Sequence, residues 1–199
     1  MKEQLLINLT AYNSSFSFSN KLKRLTWNLA YYIFFRPFNL GYFKDYRAFV
    51  LRLFGAKIGK NSHIYASVKI WAPWNLEIGE NSIIGPKVDC YNQGKITIGN
   101  QTVISQKTYL CASSHDYKIF NFPLIKKPIQ VMDQVWIAAD AFIGPGSFIE
   151  QGAVVAARSA VFGRVDSWTV VRGNPATYVK NRNMTEVYNG QIVKNATSL

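Results

Sequence analysis

A beat of six residues runs through this chain and constrains its fold more than any other feature. Ile137, Ile143, Ile149, Val155 and Val161 fall at intervals of six, and Ala141, Ser147, Ala153, Ser159 and Val165 follow them four residues on, four of the five very small. The same beat sets Ile58, Ile64 and Ile70, then Ile78, Ile84 and Cys90, then Ile98, Ile104 and Leu110, with gaps of eight between runs. Such a period suits neither a helix nor plain strand alternation. It suits a solenoid in which each unit is a short strand and a tight turn, and three units close a triangular coil of about 18 residues. The aliphatic residue fills the prism, and the small residue faces inward where the corner leaves little room. Gaps of eight read as short insertions at corners. Gly59, Asn61, Gly79, Asn81, Gly99 and Asn100 supply turn conformations that other residues resist. The prediction is an all-β solenoid over residues 58–180.

The rhythm fails between Leu110 and Ile137, where the chain reads "CASSHDYKIFNFPLIKKPIQVMDQVW". A protruding loop is expected at about residues 115–130, and a long excursion from a rigid scaffold usually serves function. His115 stands where it departs, with Ser114 at the next small inward position. An imidazole there can take a proton near neutral pH. The chain's other histidine, His63, falls at a turn of an early coil and reads as structural or merely exposed.

Residues 1–57 have a different character. "NKLKRLTWNLAYYIFFRPF" and "YFKDYRAFVLRLFGAK" read as two helical pieces broken at Pro37 and Gly41. Two roles suit them. One is a cap over the open first coil, where a bare strand edge invites aggregation. The other is an interfacial membrane contact, since basic residues accompany Trp27, Tyr31, Phe34 and Phe35. The apolar run "LTWNLAYYIFF" falls short of the roughly 20 residues a membrane span needs. Residues 181–199 read as a tail.

With 23 Lys and Arg against 11 Asp and Glu, the formal charge of +12 points to anionic company without choosing among its kinds. Cys90 and Cys111 are too few for a disulfide framework and lack metal spacing. Free thiols and an N-terminus unlike a signal peptide make a cytoplasmic location the expectation.

The blocks "LFGAKIGKNSHIYASVKIWAPWNLEIGENSIIG", "VDCYNQGKITIGNQTVISQKTYLCASSHDY", "QVWIAADAFIGPG" and "TVVRGNPATYVK" occur in an order that resembles the hexapeptide-repeat acyltransferases. The chain is most similar to their colanic acid and related exopolysaccharide acetyltransferases, within the galactoside, maltose and xenobiotic acetyltransferase group. That resemblance implies a left-handed parallel β-helix, a homotrimer with active sites between neighbouring prisms, and transfer of acetyl from acetyl-CoA to a sugar hydroxyl. It implies no metal and no nucleic acid, and an acceptor that is free, nucleotide-linked or lipid-linked.

The family's catalytic histidine falls on His115, with Asp116 or a backbone carbonyl to hold its other nitrogen. A base is needed because a sugar hydroxyl is a poor nucleophile. The oxyanion donor would be the backbone N–H of Ala138 or Ala139. Trp136, Ala139, Ala157 and the turn Gly173-Asn174-Pro175 correspond to the cleft for the pantetheine arm. Arg158, Arg164, Arg172 and Lys180 are the candidates for its phosphates. Where relatives often read Thr-Lys-Asp, this chain has Phe162-Gly163-Arg164, so Arg164 stands in for a missing lysine. Asp89, Tyr91 and Asn92, in the insertion "DCYNQGK", fall on the segment that lines the acceptor pocket in relatives.

Two other readings keep the solenoid: transfer to the amine of an amino sugar, and a non-catalytic scaffold. A hydratase using three histidine ligands on the same fold fails on the histidine count.

Overall fold

Three parallel sheets, stacked edge to edge around an apolar interior, form the body of the protein. The computed structural model describes residues 7–11, 16–188 and 191–193; the rest of residues 1–57 and of the tail 181–199 lies outside it. Coil 1 is built from strands Lys57–Ile58, His63–Ile64 and Lys69–Ile70, and coil 2 from Leu76–Ile78, Ile83–Ile84 and Asp89–Tyr91. Coil 3 comprises Ile96–Ile98, Val103–Ile104 and Tyr109–Cys111. Coil 4 comprises Ile129–Val131, Trp136–Ile137 and Phe142–Ile143, and coil 5 Phe148–Ile149, Val154–Val155 and Ala160–Val161. Coil 6 keeps two strands, Arg164–Val165 and Thr169–Gly173, and ends in an antiparallel hairpin with Ala176–Asn181. The predicted parallel solenoid is therefore the observed architecture.

The aliphatic series packs as the period predicts. Ile64, Ile84, Ile104, Ile137 and Val155 align strand over strand, and each is fully buried. The small series carries a second function. Ser62 Oγ donates to the Gly79 carbonyl (2.6 Å) and accepts from Ser82 N–H (3.0 Å). Ser82 and Thr102 repeat the pattern up to the Met132 carbonyl and Val135 N–H. Each hydroxyl satisfies backbone groups that the corner would otherwise bury unpaired.

Three details differ from the sequence reading. Coil 4 resumes at Ile129–Val131 rather than Ile137, because Val131 stands in register between Ile98 and Ile149. Val165 is an inward aliphatic of coil 6, paired with Ile149, and not a small corner residue; the corner before it is two residues short. The glycines and asparagines also divide their work. Asn61 and Asn81 have positive φ, and Gln101, not Asn100, takes that conformation in coil 3. Gly79 is required by contact instead, since a Cβ there would lie 2.5 Å from Asn100 Oδ1 of the next coil.

The N-terminal residues cap the prism. Helix α1 (Phe18–Ala30) begins at Ser17, whose side chain accepts from Asn20 N–H. It runs through a wider turn at Tyr31–Phe35 and stops before Pro37. Helix α2 (Lys44–Leu53) follows. In the coils, a backbone N–H of each coil donates to a carbonyl of the next, as from Gly59 to Ile78, Tyr65 to Ile84 and Trp71 to Cys90. The carbonyls of Ile58, Ile64 and Ile70 in coil 1 have no preceding coil to serve them. Side chains replace it: Arg52 donates to Ile58 O (2.7 Å), buried Arg47 to Ile64 O (2.7 Å), and the Trp27 indole to Ile70 O (2.7 Å). His63 belongs to this cap, its Nε2 accepting from Arg47 at 2.9 Å. Burial and the nearby cations Arg47 and Lys44 hold its pKa below the ordinary 6.5.

Candidate active site

The interruption after coil 3 is an antiparallel β-hairpin. Ala112 is the last residue in the prism; Ser113–His115 then pairs with Leu124–Lys126. Ser114 is exposed on this hairpin rather than inward, so the six-residue count stops two residues earlier than the sequence suggested. His115 sits at the end of its strand, opposite Leu124, exposed to solvent. Its Nδ1 lies 2.6 Å from the Phe122 carbonyl. A carbonyl only accepts, so Nδ1 carries the proton and Nε2 holds the lone pair of the neutral ring.

The carboxylate of Asp116 has a different task. Its Oδ1 accepts from Lys118 N–H at 3.0 Å, and its own N–H donates to Pro123 O, which together shape the hairpin tip. At Nδ1 the imidazole meets a backbone carbonyl, which the sequence alone did not single out. N-terminal residues brace the tip: Asn8 N–H donates to Phe120 O (3.0 Å) and the Asn121 amide to Ala11 O (3.2 Å).

A second feature runs along the corner that follows the Trp136–Ile137 strand. Ile137 registers on Val155 and Val155 on Val171, so Ala139, Ala157 and Gly173, each two residues on, succeed one another coil by coil. Gly173 has φ of 103°, which excludes a side chain there on backbone grounds as well. This strip without bulk fits a narrow thioester-bearing arm, and partly exposed Trp136 stands at its start, its indole donating to Ser105 Oγ (3.0 Å). Of the two oxyanion candidates, Ala138 N–H already donates to Val155 O (2.9 Å). Ala139 lies one residue on, in the turn, beyond that coil-to-coil ladder.

The cationic candidates separate. Arg158 is exposed in the turn beside Ala157, and Arg172 in the strand that ends at Gly173. Asn174 and Pro175 form the exposed turn after it, joined by a cis peptide bond, and Lys180 lies opposite Val170 in the terminal hairpin. Arg164 belongs elsewhere. It lies on the sheet that contains Phe148–Ile149 and pairs with the carboxylates of Glu150 and Asp166. Those two acids compete with any phosphate for the Arg164 guanidinium.

The acceptor candidates also separate. Asp89 and Tyr91 line a cleft of about 290 Å³ between α1 and coils 1 and 2, together with Trp71, Lys69, Tyr31 and Tyr32. Burial raises the pKa of Asp89, with Lys69 at 4.0 Å opposing the shift. Asn92 is structural: fully buried, it accepts from Ala72 N–H (3.0 Å) and donates to Ala72 O (2.5 Å). Sequence reasoning missed Trp71 and Gln93. Gln93 donates to the Tyr91 hydroxyl (2.7 Å), and its buried Oε1 has no hydrogen-bond partner among the described residues. Phe16 connects cleft and hairpin, 4.9 Å from the Trp71 ring and under the Lys126 ammonium at 4.1 Å. Cys90, buried behind Asp89, has its thiol pushed up to about 12 by burial, which makes it inert. Among the described residues, no three His, Cys, Asp or Glu side chains gather as they would around a metal ion.

Known proteins share this fold. No family model matches the chain. It is 49% identical over 141 residues to WcaF of Escherichia coli, a protein named for acetyl transfer in colanic acid biosynthesis, covering 71% of this chain and 78% of that one. The crystal structure of the hexapeptide-repeat acetyltransferase VCA0836 from Vibrio cholerae superposes with a TM-score of 0.75 at 26% identity, over 83% of this chain and 94% of the other. A galactoside acetyltransferase in complex with coenzyme A shares the fold, with a TM-score of 0.76 at 20% identity over 85% and 86% of the two chains. The identity to the Escherichia coli protein, over most of both chains, settles the family: this chain belongs to the hexapeptide-repeat acetyltransferases.

Proposed function

We propose that the chain moves an acetyl group from acetyl-CoA to a hydroxyl of a sugar used in surface-polysaccharide synthesis, by direct transfer with no acyl-enzyme. The reading rests on one observation above the others: the Phe122 carbonyl holds His115 in the tautomer whose Nε2 is basic. In the proposed step Nε2 takes the hydroxyl proton as the sugar oxygen bonds to the thioester carbon. The carbonyl oxygen becomes an oxyanion, and Ala139 N–H is the donor assigned to it. Collapse breaks the carbon–sulfur bond, and the imidazolium returns its proton to the departing thiolate. The Phe122 carbonyl stabilises the transient imidazolium through Nδ1–H.

Binding of acetyl-CoA along the Ala139, Ala157 and Gly173 corner is supported by the absence of side-chain bulk there, and by acetyl-CoA and coenzyme A bound in structures of the same fold. Arg158, Arg172 and Lys180 remain its phosphate candidates. The acceptor is assigned to the cleft of Asp89, Tyr91 and Trp71, where aromatic faces suit sugar C–H groups and the carboxylate and amide suit hydroxyls. Colanic acid and lipopolysaccharide in the names of two relatives support a polysaccharide precursor as its class. We further assign a homotrimer, so that the hairpin of one prism meets the corner of its neighbour, and a cytoplasmic location, where both free cysteines remain reduced.

The test is incubation with labelled acetyl-CoA and a panel of hydroxyl and amino sugars, free and carrier-linked, followed by mass spectrometry of the products. Ester-linked acetyl on a sugar is the expected outcome. Amide-linked acetyl alone would replace the hydroxyl reading, and no transfer to any carbohydrate would defeat it.

A further inference from the structure

Helix α1 is apolar on two sides, and the prism uses only one of them. Trp27 and Ala30, continued by Tyr31 and Phe35, are buried in the cap. At about 100° per residue, Phe18, Leu22, Leu25 and Leu29 fall together on the opposite side. They are 82%, 51%, 57% and 58% exposed, and Tyr32 and Ile33 extend the stripe at 67% and 56%. Single exposed apolar residues are ordinary, but six large ones in register on one helical run mark a surface built to be covered. Among the described residues, nothing of this chain covers it.

The surrounding charge selects the occupant. Lys21, exposed, borders the stripe, and residues 18–60 carry nine Lys and Arg against a single Asp. Two copies of this face would bring like charges together, whereas an anionic surface attracts it. No helix among the described residues is long and apolar enough to cross a membrane, so the geometry is that of a helix lying in the interface. We propose that the outward stripe of α1 seats the protein on an anionic lipid bilayer, with Phe18, Leu22, Leu25 and Leu29 in the headgroup–acyl boundary and Lys21 among the phosphates. Cap and membrane contact are then two sides of one helix. The proposal stands whether the acceptor is a sugar hydroxyl or an amine.

Vesicle flotation of the full chain tests it, comparing phosphatidylcholine alone with phosphatidylcholine containing phosphatidylglycerol. The protein is expected to float with the anionic vesicles and to be released by salt. Leu25→Glu with Leu29→Glu should abolish flotation while leaving solution mass, circular dichroism and acetyl transfer to a water-soluble acceptor unchanged. Should that variant fail to fold, Lys21→Gln decides, with a loss in partitioning of about five-fold at low salt. The proposal fails if the wild type stays in the dense fraction, or if whichever variant decides floats as the wild type does. A fall in solution mass of the leucine variant would assign the stripe to a contact between copies and overturn it equally.

Discussion

The Phe122 carbonyl sits 2.6 Å from Nδ1 of His115, and Phe122 delivers it from a backbone with φ of 46°. A bulky residue in that left-handed conformation costs about 1–2 kcal/mol, so the hairpin carries strain at the atom that orients the proposed base. Asn tolerates the conformation and Val does not. Phe122→Asn should keep kcat within a few-fold, about three. Phe122→Val should lower kcat by about ten-fold through a misplaced imidazole, with KM for acetyl-CoA unchanged. Steady-state kinetics on both variants check this.

His115→Ala removes the proposed base and nothing that the core depends on, since the side chain is exposed on the hairpin. The turnover number should fall roughly 100-fold or more, while the melting temperature stays within a degree or two, about the scatter expected for surface changes. A variant with wild-type turnover would take the role of base away from His115.

Asp89→Asn tests the proposed acceptor cleft. Asp89 is half-buried beside Lys69 and its pKa is raised by burial, so the carboxylate is held in place against a desolvation cost. The substitution should raise KM for the sugar by about ten-fold, the cost of one charged hydrogen bond, and leave KM for acetyl-CoA alone. Equal effects on both constants would move the acceptor elsewhere.

Trp27→Phe keeps an aromatic ring in the cap and removes the indole donor to Ile70. The orphaned carbonyl, buried beneath the cap at the first coil, should cost about 1–3 kcal/mol. Chemical denaturation with an unchanged m-value would report it.

His63 gives a pH dependence with a definite sign. Its folded pKa is lowered, first by burial and then by Arg47 and Lys44, so below the ordinary value of 6.5 the unfolded chain binds a proton that the folded chain refuses. Stability contributed by the neutral ring is present above about pH 6.5 and is lost progressively below it, as the pH falls through the lowered folded pKa. His63→Gln, which keeps an acceptor for Arg47, should flatten the fall in melting temperature between neutral and mildly acidic pH. An unchanged slope would assign the acid sensitivity to other groups.

The sequence by itself determined the solenoid. One aliphatic and one small residue per six are sufficient because each position repeats the same packing problem, and Ile64, Ile84, Ile104 and Ile137 solve it identically. It also located His115, because a break in so regular a beat is visible without coordinates. Period could not say where the beat resumes. Val131 is an inward residue of coil 4, yet twenty irregular residues precede it and the count is lost.

Partners were decided only in three dimensions. Asp116 is next to His115 in sequence, but along a strand adjacent side chains point apart, and the hairpin brings Phe122 O to the ring instead. Asn92 and Asp89 are three residues apart with the same polar vocabulary, and only burial tells a corner clamp from a cleft wall. Arg164 sits in a family block, yet the register of Phe148–Ile149 places it beside Glu150. Local spacing fixes which way each residue faces relative to its own coil. Hydrogen bonds and ion pairs depend on what the neighbouring coil, the cap or the hairpin places opposite, and that is a property of the closed structure alone.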